Sequence, residues 1–494
     1  MGLRQSINYL IVFFISLSLF YFWQFQSPFL PENDGYYHIA IANLMRTEGF
    51  IRQFRWAELS LWFKNFSDKE FLFHVYLMPF TWIFENLHTA AKVATVILAA
   101  CGITSFFGII RLNKLRASWF WTLMLMSSGG YFLYRANVPR PQVLSIILCL
   151  WAIHFIINNQ RKHLAILCFI YTSAYTGYIL PLIFTLIASA YIWFFENELE
   201  WKTPATVFGA TLTGMIFHPY FPDNWTMFWV QNFYVLWMGT NGKVDLKMGG
   251  EFKPMDTKKL FEVLTSVWMS YFAAFFASIY TPVKTDRKTR ILFFISLALI
   301  ILTMTSKRFA EYSVPVTLWF CASFFSPIIG SFDWNKFRRK NFPRFIIVAC
   351  GGSVLLVALF LRSSWDVARQ YHARESRFKE AALWVKDHVP KGQLVYTCDW
   401  DDTPEIFFYN QNNSYPVFLD PNFMYYWNPK MWETWFRVSN GMERDRTYYF
   451  LKEVFNVQYG ICTRDFGGLR EIMLKDNRFE IVLTTPHTYV FKLR

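Results

Sequence analysis

The residues best suited to chemistry form the run Asn33-Asp34-Gly35-Tyr36-Tyr37-His38. A carboxylate and an imidazole four positions apart share one face if a helix begins there. Such a face can take a proton from a hydroxyl or hold a hydroxyl-bearing substrate for attack. Asp34 is also a good N-cap residue. The plain alternative is an interfacial helix start, with Tyr36 and Tyr37 at headgroup depth. A second group is cationic. Arg135 and Arg140 stand in Arg135-Ala-Asn137-Val-Pro139-Arg140-Pro141, and Lys307-Arg308 stand far along the chain. The planar guanidinium fork suits an anionic phosphate. His218 and Asp223, in a proline-punctuated run, and Asp401-Asp402 after Trp400 complete the candidates. Their plain readings are a loop and a helix cap before Pro404-Glu405.

Positioning these groups falls to a greasy chain. Of 494 residues, 54% are apolar, 21% aromatic and 17% charged, too apolar and too long for one soluble core. Apolar runs recur at membrane-span length. The formal charge of +14 is gathered in short clusters between those runs. That pattern marks cytoplasmic loops, not a nucleic-acid surface. Five cysteines, Cys101, Cys149, Cys168, Cys321 and Cys350, lie inside apolar runs and read as small hydrophobes. Cys398 and Cys462 fall in polar sequence; two cysteines alone do not establish a bridge. Arg4 before Ile11 to Phe20 reads as an uncleaved anchor.

Eleven spans are expected. In chain order they are Asn8 to Trp23, Ala90 to Ile110, Ser118 to Tyr134, Val143 to Ile157, two short spans in Leu164 to Phe195, and Pro204 to Phe217. Leu264 to Tyr280, Ile291 to Thr305, Phe309 to Ile329 and Phe345 to Leu361 follow. Residues 1–361 then form a transmembrane domain with a large outer loop at 24–88 and a long one at 218–262. Asp68 to Phe84, with His74 and Pro79, reads as amphipathic helix along the membrane. Residues 362–494 read as a soluble α/β domain. In it, Trp365 to His388 continues the last span as helix. Strands are expected at Gln393 to Thr397, Tyr415 to Leu419, Val457 to Cys462, Phe479 to Thr484 and Thr488 to Leu493, the last two as a hairpin.

With the N-terminus cytoplasmic, the basic clusters at 111–116, 161–163, 284–290 and 336–344 all fall inside. Arg135, Arg140, Lys307 and Arg308 break the rule, because they fall in short outer turns. Snorkelling to headgroups is the bland account. The other is a wet site at the outer rim of the bilayer, shared with Asp34, His38, His218, Asp223 and the C-terminal domain. A carboxylate and several cations there suit chemistry on a lipid-linked phosphate.

The motifs resemble a known superfamily. Asp34-Gly-Tyr-Tyr37-His38 is similar to the aspartate motif of GT-C membrane glycosyltransferases, in the Asp-x-x-Tyr-His form of oligosaccharyltransferase catalytic subunits. Lys307-Arg308-Phe309-Ala310-Glu311-Tyr312 resembles the Arg-Phe-x-Glu-Tyr start of a late span in the same proteins. Trp400-Asp401-Asp402 loosely resembles their Trp-Trp-Asp signature. The second outer turn, where the family holds a divalent metal with an acidic pair, carries Arg135 and Arg140 and no carboxylate.

The resemblance implies a GT-C fold of about a dozen spans with an extracytoplasmic C-terminal α/β domain, in a bacterial inner membrane; an endoplasmic reticulum enzyme would share this orientation. It implies inverting transfer of a sugar from a polyprenyl-phosphate donor to a hydroxyl of a lipid, glycan or protein. Asp34 would be the base. Tyr37, His38, Arg135, Arg140, Lys307, Arg308, Glu311, His218, Asp223, Asp401 and Asp402 would contact substrates. The reaction would use no cofactor or a divalent Mg or Mn ion, with Asp34 its ligand. Oligosaccharyltransferase-type transfer to protein, a transporter or flippase of lipid-linked sugars, and a non-catalytic scaffold are the alternatives. No internal repeat of the transporter kind is visible.

Overall fold

The computed structural model describes residues 3–234, 237, 249–280, 285–332, 342–372 and 374–494. Lys284, Lys336, Arg338, Arg339 and Lys340, and positions 238–248 of the long loop, lie outside the described residues. The chain divides into two compact units, each assembled from three stretches.

The first unit gathers residues 1–27, 92–214 and 249–373 and is helical. Among the described residues, six helices are long and apolar enough to cross a membrane: Ser6–Gln24, Leu87–Leu112, Thr176–Glu196, Arg287–Thr305, Lys307–Ser331 and Cys350–His372. Thr257–Val263 and Thr265–Tyr280, bent by 89°, make a seventh if counted as one span. Other expected spans are shorter or broken. Ser118 to Tyr134 is split into Ser118–Met126 and Gly130–Arg135. The break falls at Gly129, whose φ of 125° excludes side chains. A Cβ there would meet the Val263 carbonyl oxygen at 1.7 Å. The 164–195 stretch resolves into Arg161–Tyr171, a 3₁₀ turn at Thr176–Ile179 and Leu180–Glu196.

Hydrogen bonds fix the turn that carries Arg135 and Arg140. The Asn137 carbonyl accepts from Gln24 Nε2 at 3.1 Å and from the Tyr371 hydroxyl. Asn137 Nδ2 in turn donates to the Phe20 carbonyl. The first and last helices of the unit thus grip one turn. Ser306 ends the helix Arg287–Thr305, and a 3₁₀ turn at Lys307–Phe309 starts the next, Ala310–Ser331.

The second unit gathers residues 28–91, 215–248 and 374–494. Its helix Asp34–Glu48 packs against Phe71–Ile83 and Thr403–Tyr409. Between them lies an aromatic core that includes Tyr37, Phe54, Trp62, Phe407 and Phe418. Four strands, β1 Val395–Thr397, β2 Tyr459–Thr463, β3 Phe479–Thr484 and β4 Thr488–Leu493, form a sheet in the order β1-β2-β4-β3. β1 runs parallel to β2, and the other pairs are antiparallel. Cys398 and Cys462 are bridged, closing a long loop between β1 and β2.

Two expectations are corrected here. Tyr415 to Leu419 is not a strand: only isolated bridges, Ala57 with Tyr415 and Leu394 with Ser414, form there. Val417 and Phe418 are apolar because they fill cores, not because they pair. The single helix expected over Trp365 to His388 is two, Phe342–His372 and Lys379–His388.

Candidate functional site

In the first unit the structure brings together Arg135, Arg140, Arg308 and Glu311, with a residue the sequence reading passed over, Glu251. Arg135 is buried and binds Glu311, itself 2% exposed, at the start of its helix. Arg135 Nη1 also donates to Glu251 Oε2 at 2.7 Å, and Arg140 Nη1 donates to the same oxygen at 3.1 Å. Arg308 bonds the Tyr175 hydroxyl and lies 4.6 Å over the Phe252 ring. The segment around Glu251 is tied down. Ser306 Oγ donates to the Glu251 carbonyl at 3.1 Å, and the Lys307 amide donates to the Lys253 carbonyl at 3.2 Å. Burial pushes the Glu251 carboxyl up, but Arg135, Arg140 and Arg308 outweigh it and hold it well below the usual carboxylate range. Glu251 sits after Gly249-Gly250 in a loop otherwise rich in lysine; an acidic residue among those lysines was the available signal.

In the second unit Asp34 is the first residue of its helix, not the N-cap. Asn33 holds that position without a capping side-chain bond. Glu32 does the work instead: its carboxylate accepts from the Asp34 amide at 3.1 Å and the Gly35 amide at 2.7 Å. The capping role that competed with chemistry for Asp34 is therefore taken by a neighbour.

His38, one turn on, faces His74, with Nδ1 2.9 Å from His74 Nε2. His74 Nδ1 lies 2.7 Å from Asp68 Oδ2. Tyr37 departs from its expected substrate contact: at 1% exposure its ring is packed among Phe54, Trp62, His74 and Phe418. His218 is buried, and its Nδ1 accepts from the Tyr220 amide at 3.2 Å. Burial pushes its pKa down to about 4, against a smaller opposing pull from Asp68. Asp223 begins the short helix Asp223–Trp229 and accepts from Asn65 Nδ2 at 3.0 Å.

Asp401 and Asp402 line a cavity of about 480 Å³ with Asn33, Arg374, Arg377 and Asp399. Asn33 Nδ2 donates to the Asp401 carbonyl at 2.9 Å and to its carboxylate at 3.1 Å. The residue before Asp34 is thereby anchored to the cavity wall. Asp402 stands at the N-cap position of Thr403–Tyr409 but makes no capping bond. Its Oδ2 is shut off from solvent without a hydrogen-bond partner among the described residues. Burial, then Asp399, Asp401 and Glu405, push its carboxyl well above the usual range, with Arg377 offsetting a part. A protonated Asp402 can donate a hydrogen bond to a hydroxyl.

Among the described residues no three His, Cys, Asp or Glu side chains are grouped to hold a metal ion. Asp68 and His38 sit on opposite nitrogens of His74, in line and not convergent. The turn expected to supply metal-binding acids supplies Arg135 and Arg140, each already on a carboxylate. These residues do not fit a divalent-metal centre.

No family model matches the sequence, and no curated protein matches it either. Solved structures do. The archaeal oligosaccharyltransferase AglB from Archaeoglobus fulgidus, in complex with an inhibitory peptide and a dolichol-phosphate, superposes with a TM-score of 0.65. It is 11% identical, over 94% of this chain and 70% of its own. ArnT from Cupriavidus metallidurans, bound to undecaprenyl phosphate, gives 0.56 at 12% identity over 99% and 98%. The arabinofuranosyltransferase AftD from Mycobacteria gives 0.57 at 10% identity over 100% of this chain and 40% of its own. The fold is that of the GT-C glycosyltransferases. With this fold and its apolar helices, the chain is an integral, multi-pass membrane protein.

Proposed function

We propose that this GT-C chain is a glycosyltransferase that moves a sugar from a polyprenyl-phosphate donor to an acceptor hydroxyl at the extracytoplasmic face, with inversion. One observation carries the donor class. Arg135 and Arg140 converge on a single carboxylate oxygen, Glu251 Oε2. An oxygen clamped by two guanidinium groups is what a phosphate oxygen requires. Three arginines against Glu251 and Glu311 leave one positive charge in excess. A phosphodiester brings one negative charge, and a departing monoester brings more as its second proton is lost. The cluster thus stabilises the leaving group more than the donor, which is the condition for catalysis. AglB in complex with a dolichol-phosphate and ArnT bound to undecaprenyl phosphate support the same class.

In this reading Asp34 accepts the acceptor's proton as the oxygen attacks the anomeric carbon. The sugar–phosphate C–O bond breaks, and its electron pair leaves with the polyprenyl phosphate. Within the first unit, Arg135, Arg140 and Arg308, with Lys307 beside them and Glu311 holding Arg135 in place, are the groups suited to a phosphate's charge. The polar cavity at Asp401 and Asp402 takes the acceptor, a lipid, glycan or protein hydroxyl. His218 bonds within its own run and Asp223 bonds Asn65; both are assigned to the architecture of the second unit. The Cys398–Cys462 bridge supports an oxidising, extracytoplasmic setting for the second unit, as in a bacterial inner membrane.

The test is release of polyprenyl phosphate by the purified protein in detergent. The probes are undecaprenyl- and dolichyl-phosphate hexoses and pentoses with a labelled sugar, presented with lipid and glycan acceptors. Cleavage with transfer of label is expected. Movement of intact labelled lipid across proteoliposomes, without cleavage, would replace this reading with a flippase. Transfer to a sequon peptide would make it an oligosaccharyltransferase.

A further inference from the structure

We infer that Asp68, His74 and His38 form a proton relay that serves the hydroxyl-activating side of this protein; the inference deepens the glycosyl-transfer reading and rests on it for the reaction served. The three groups are nearly inaccessible: Asp68 is 1% exposed, His74 0% and His38 4%. Asp68 is held from both sides. Its Oδ1 accepts from the Glu70 amide at 3.1 Å and its Oδ2 from His74 Nδ1. A carboxylate on Nδ1 requires a hydrogen there, which fixes how that ring is used. His74 Nε2 and His38 Nδ1, 2.9 Å apart, must then share one hydrogen between them. If it sits on His38, His74 is neutral; if it sits on His74, that ring is an imidazolium against Asp68. Each shift of this hydrogen carries positive charge one ring deeper, toward a fixed anion.

The relay ends one helical turn from Asp34, on the same helix face. The surroundings leave Asp68 as its principal anion. Burial pushes the Glu70 carboxyl up, although Lys69 and His74 pull it down. The other groups facing this cluster are Asp34 and Tyr37 from the relay's first helix, and His218 and Tyr220 from the run at 218–220. Tyr37 and Tyr220 are pushed up by burial and stay neutral, and His218 is pushed down and stays neutral. Of these, His74 bonds the buried Asp68 directly, and His38 reaches it through His74.

The step balances. The acceptor O–H proton passes by way of Asp34 to His38 Nε2, and the His38 Nδ1 proton moves to His74 Nε2. His74 holds the charge against Asp68 while the new C–O bond forms and the sugar–phosphate bond breaks. The proton then leaves by the same route to the departing phosphate or to water. His38, His74 and Asp68 are positioning and proton-storing residues; none need touch the sugar.

Two measurements on the full-length protein decide it. Exchange of the imidazole C2 hydrogen, followed by mass spectrometry, gives a titration midpoint for each histidine without any substrate. Removing the anion in Asp68→Asn should lower the midpoint of His38 or His74 by at least about one pH unit, since a nearby opposite charge moves a pKa by about 1–3 units. His487, exposed elsewhere in the unit, should not move. Midpoints unchanged at both relay rings would overturn the relay. In turnover with the labelled polyprenyl-phosphate probes, wild type should lose kcat on the acid side within the imidazole range, roughly pH 5–8. Asp68→Asn should lower kcat about 10- to 100-fold, shift that limb to lower pH and leave the donor KM unchanged. A rate loss without a moved limb would make the triad structural and sink the inference. If wild type turns over no donor, glycosyl transfer fails, while the exchange midpoints still decide the coupling.

Discussion

Two buried charge clusters in this molecule handle burial in opposite ways. In the first unit, Arg135 bonds Glu251 and Glu311, Arg140 bonds Glu251, and Arg308 lies near them on Tyr175 and Phe252, so fixed cations are set against carboxylates. In the second, Asp68 bonds His74, which bonds His38 in turn, and an imidazole can take up a proton or give it up. Taking a charge out of water is costly unless it is paired. Permanent cations answer that cost by pairing; histidines answer it by being neutral until a proton arrives. The difference teaches a division of labour. A phosphate that gains negative charge wants fixed positive charge nearby, whatever the pH. A hydroxyl that must lose a proton wants somewhere for that proton to go.

The widest separation between the two should come from Asp34→Asn. The change keeps shape and hydrogen bonding but removes the base. A loss of kcat of about 10²–10⁴-fold is expected, with donor KM little altered. Release of polyprenyl phosphate from labelled donor is the measurement, and undiminished turnover would remove Asp34 from the chemistry. Arg308→Gln should come next. It bonds Tyr175 and stacks on Phe252, so its loss strands no buried carboxylate outright. A fall in kcat of about 10²-fold with a higher donor KM is expected. Arg135 is the poorer probe, because its removal would leave Glu311 unpaired at a cost of about 3–5 kcal/mol. Equal effects of Asp34→Asn and Arg308→Gln on KM would blur the comparison.

How much of this was legible in the sequence depended on whether the signal was local. Asp34, His38 and the outer arginines were visible because hydropathy sets the membrane rim and charge at the rim is conspicuous. The fold class followed from the same pattern. Glu251 was not legible, because its meaning comes from two arginines more than a hundred positions away. Asp68 and His74 were in view only as a polar stretch; their pairing with His38 is a tertiary contact between two helices. The cap at Asp34 was misassigned because Glu32, two positions earlier, competes for the same amides. Tyr415 to Leu419 looked like a strand because core filling and strand pairing favour the same apolar residues.

pH sharpens the contrast. Glu251 titrates well below the usual carboxylate range, so the stability it contributes is present above the unfolded value of about 4.3. That contribution fades only as the pH falls through the depressed native value. Arginine does not titrate in this range. The donor KM should therefore stay flat from roughly pH 5 to 8, the range in which an unperturbed imidazole changes charge, while kcat changes. A donor KM that follows the kcat limb would show that the phosphate side shares the proton chemistry, and the division of labour would fail.

The smallest effect should be the most telling in sign. Glu251→Gln removes a carboxylate, as Asp34→Asn does, but from the side where negative charge competes with the donor. With Glu251 neutral, Arg135 and Arg140 lose the anion they share, and a phosphate oxygen can take its place without displacing a charge. Donor KM should fall by a few fold, with kcat near wild type. A less neutralised cluster attracts an approaching anion more strongly at low ionic strength, where the field it meets in solvent is less screened. The gain should therefore shrink as salt rises from 50 to about 300 mM. The same kinetic series on wild type and variant checks both points. A raised donor KM would mean that Glu251 holds the arginines in position for the phosphate and does not stand in its place. Both clusters would then be built around their carboxylates, and the distinction between them would rest on the protons alone.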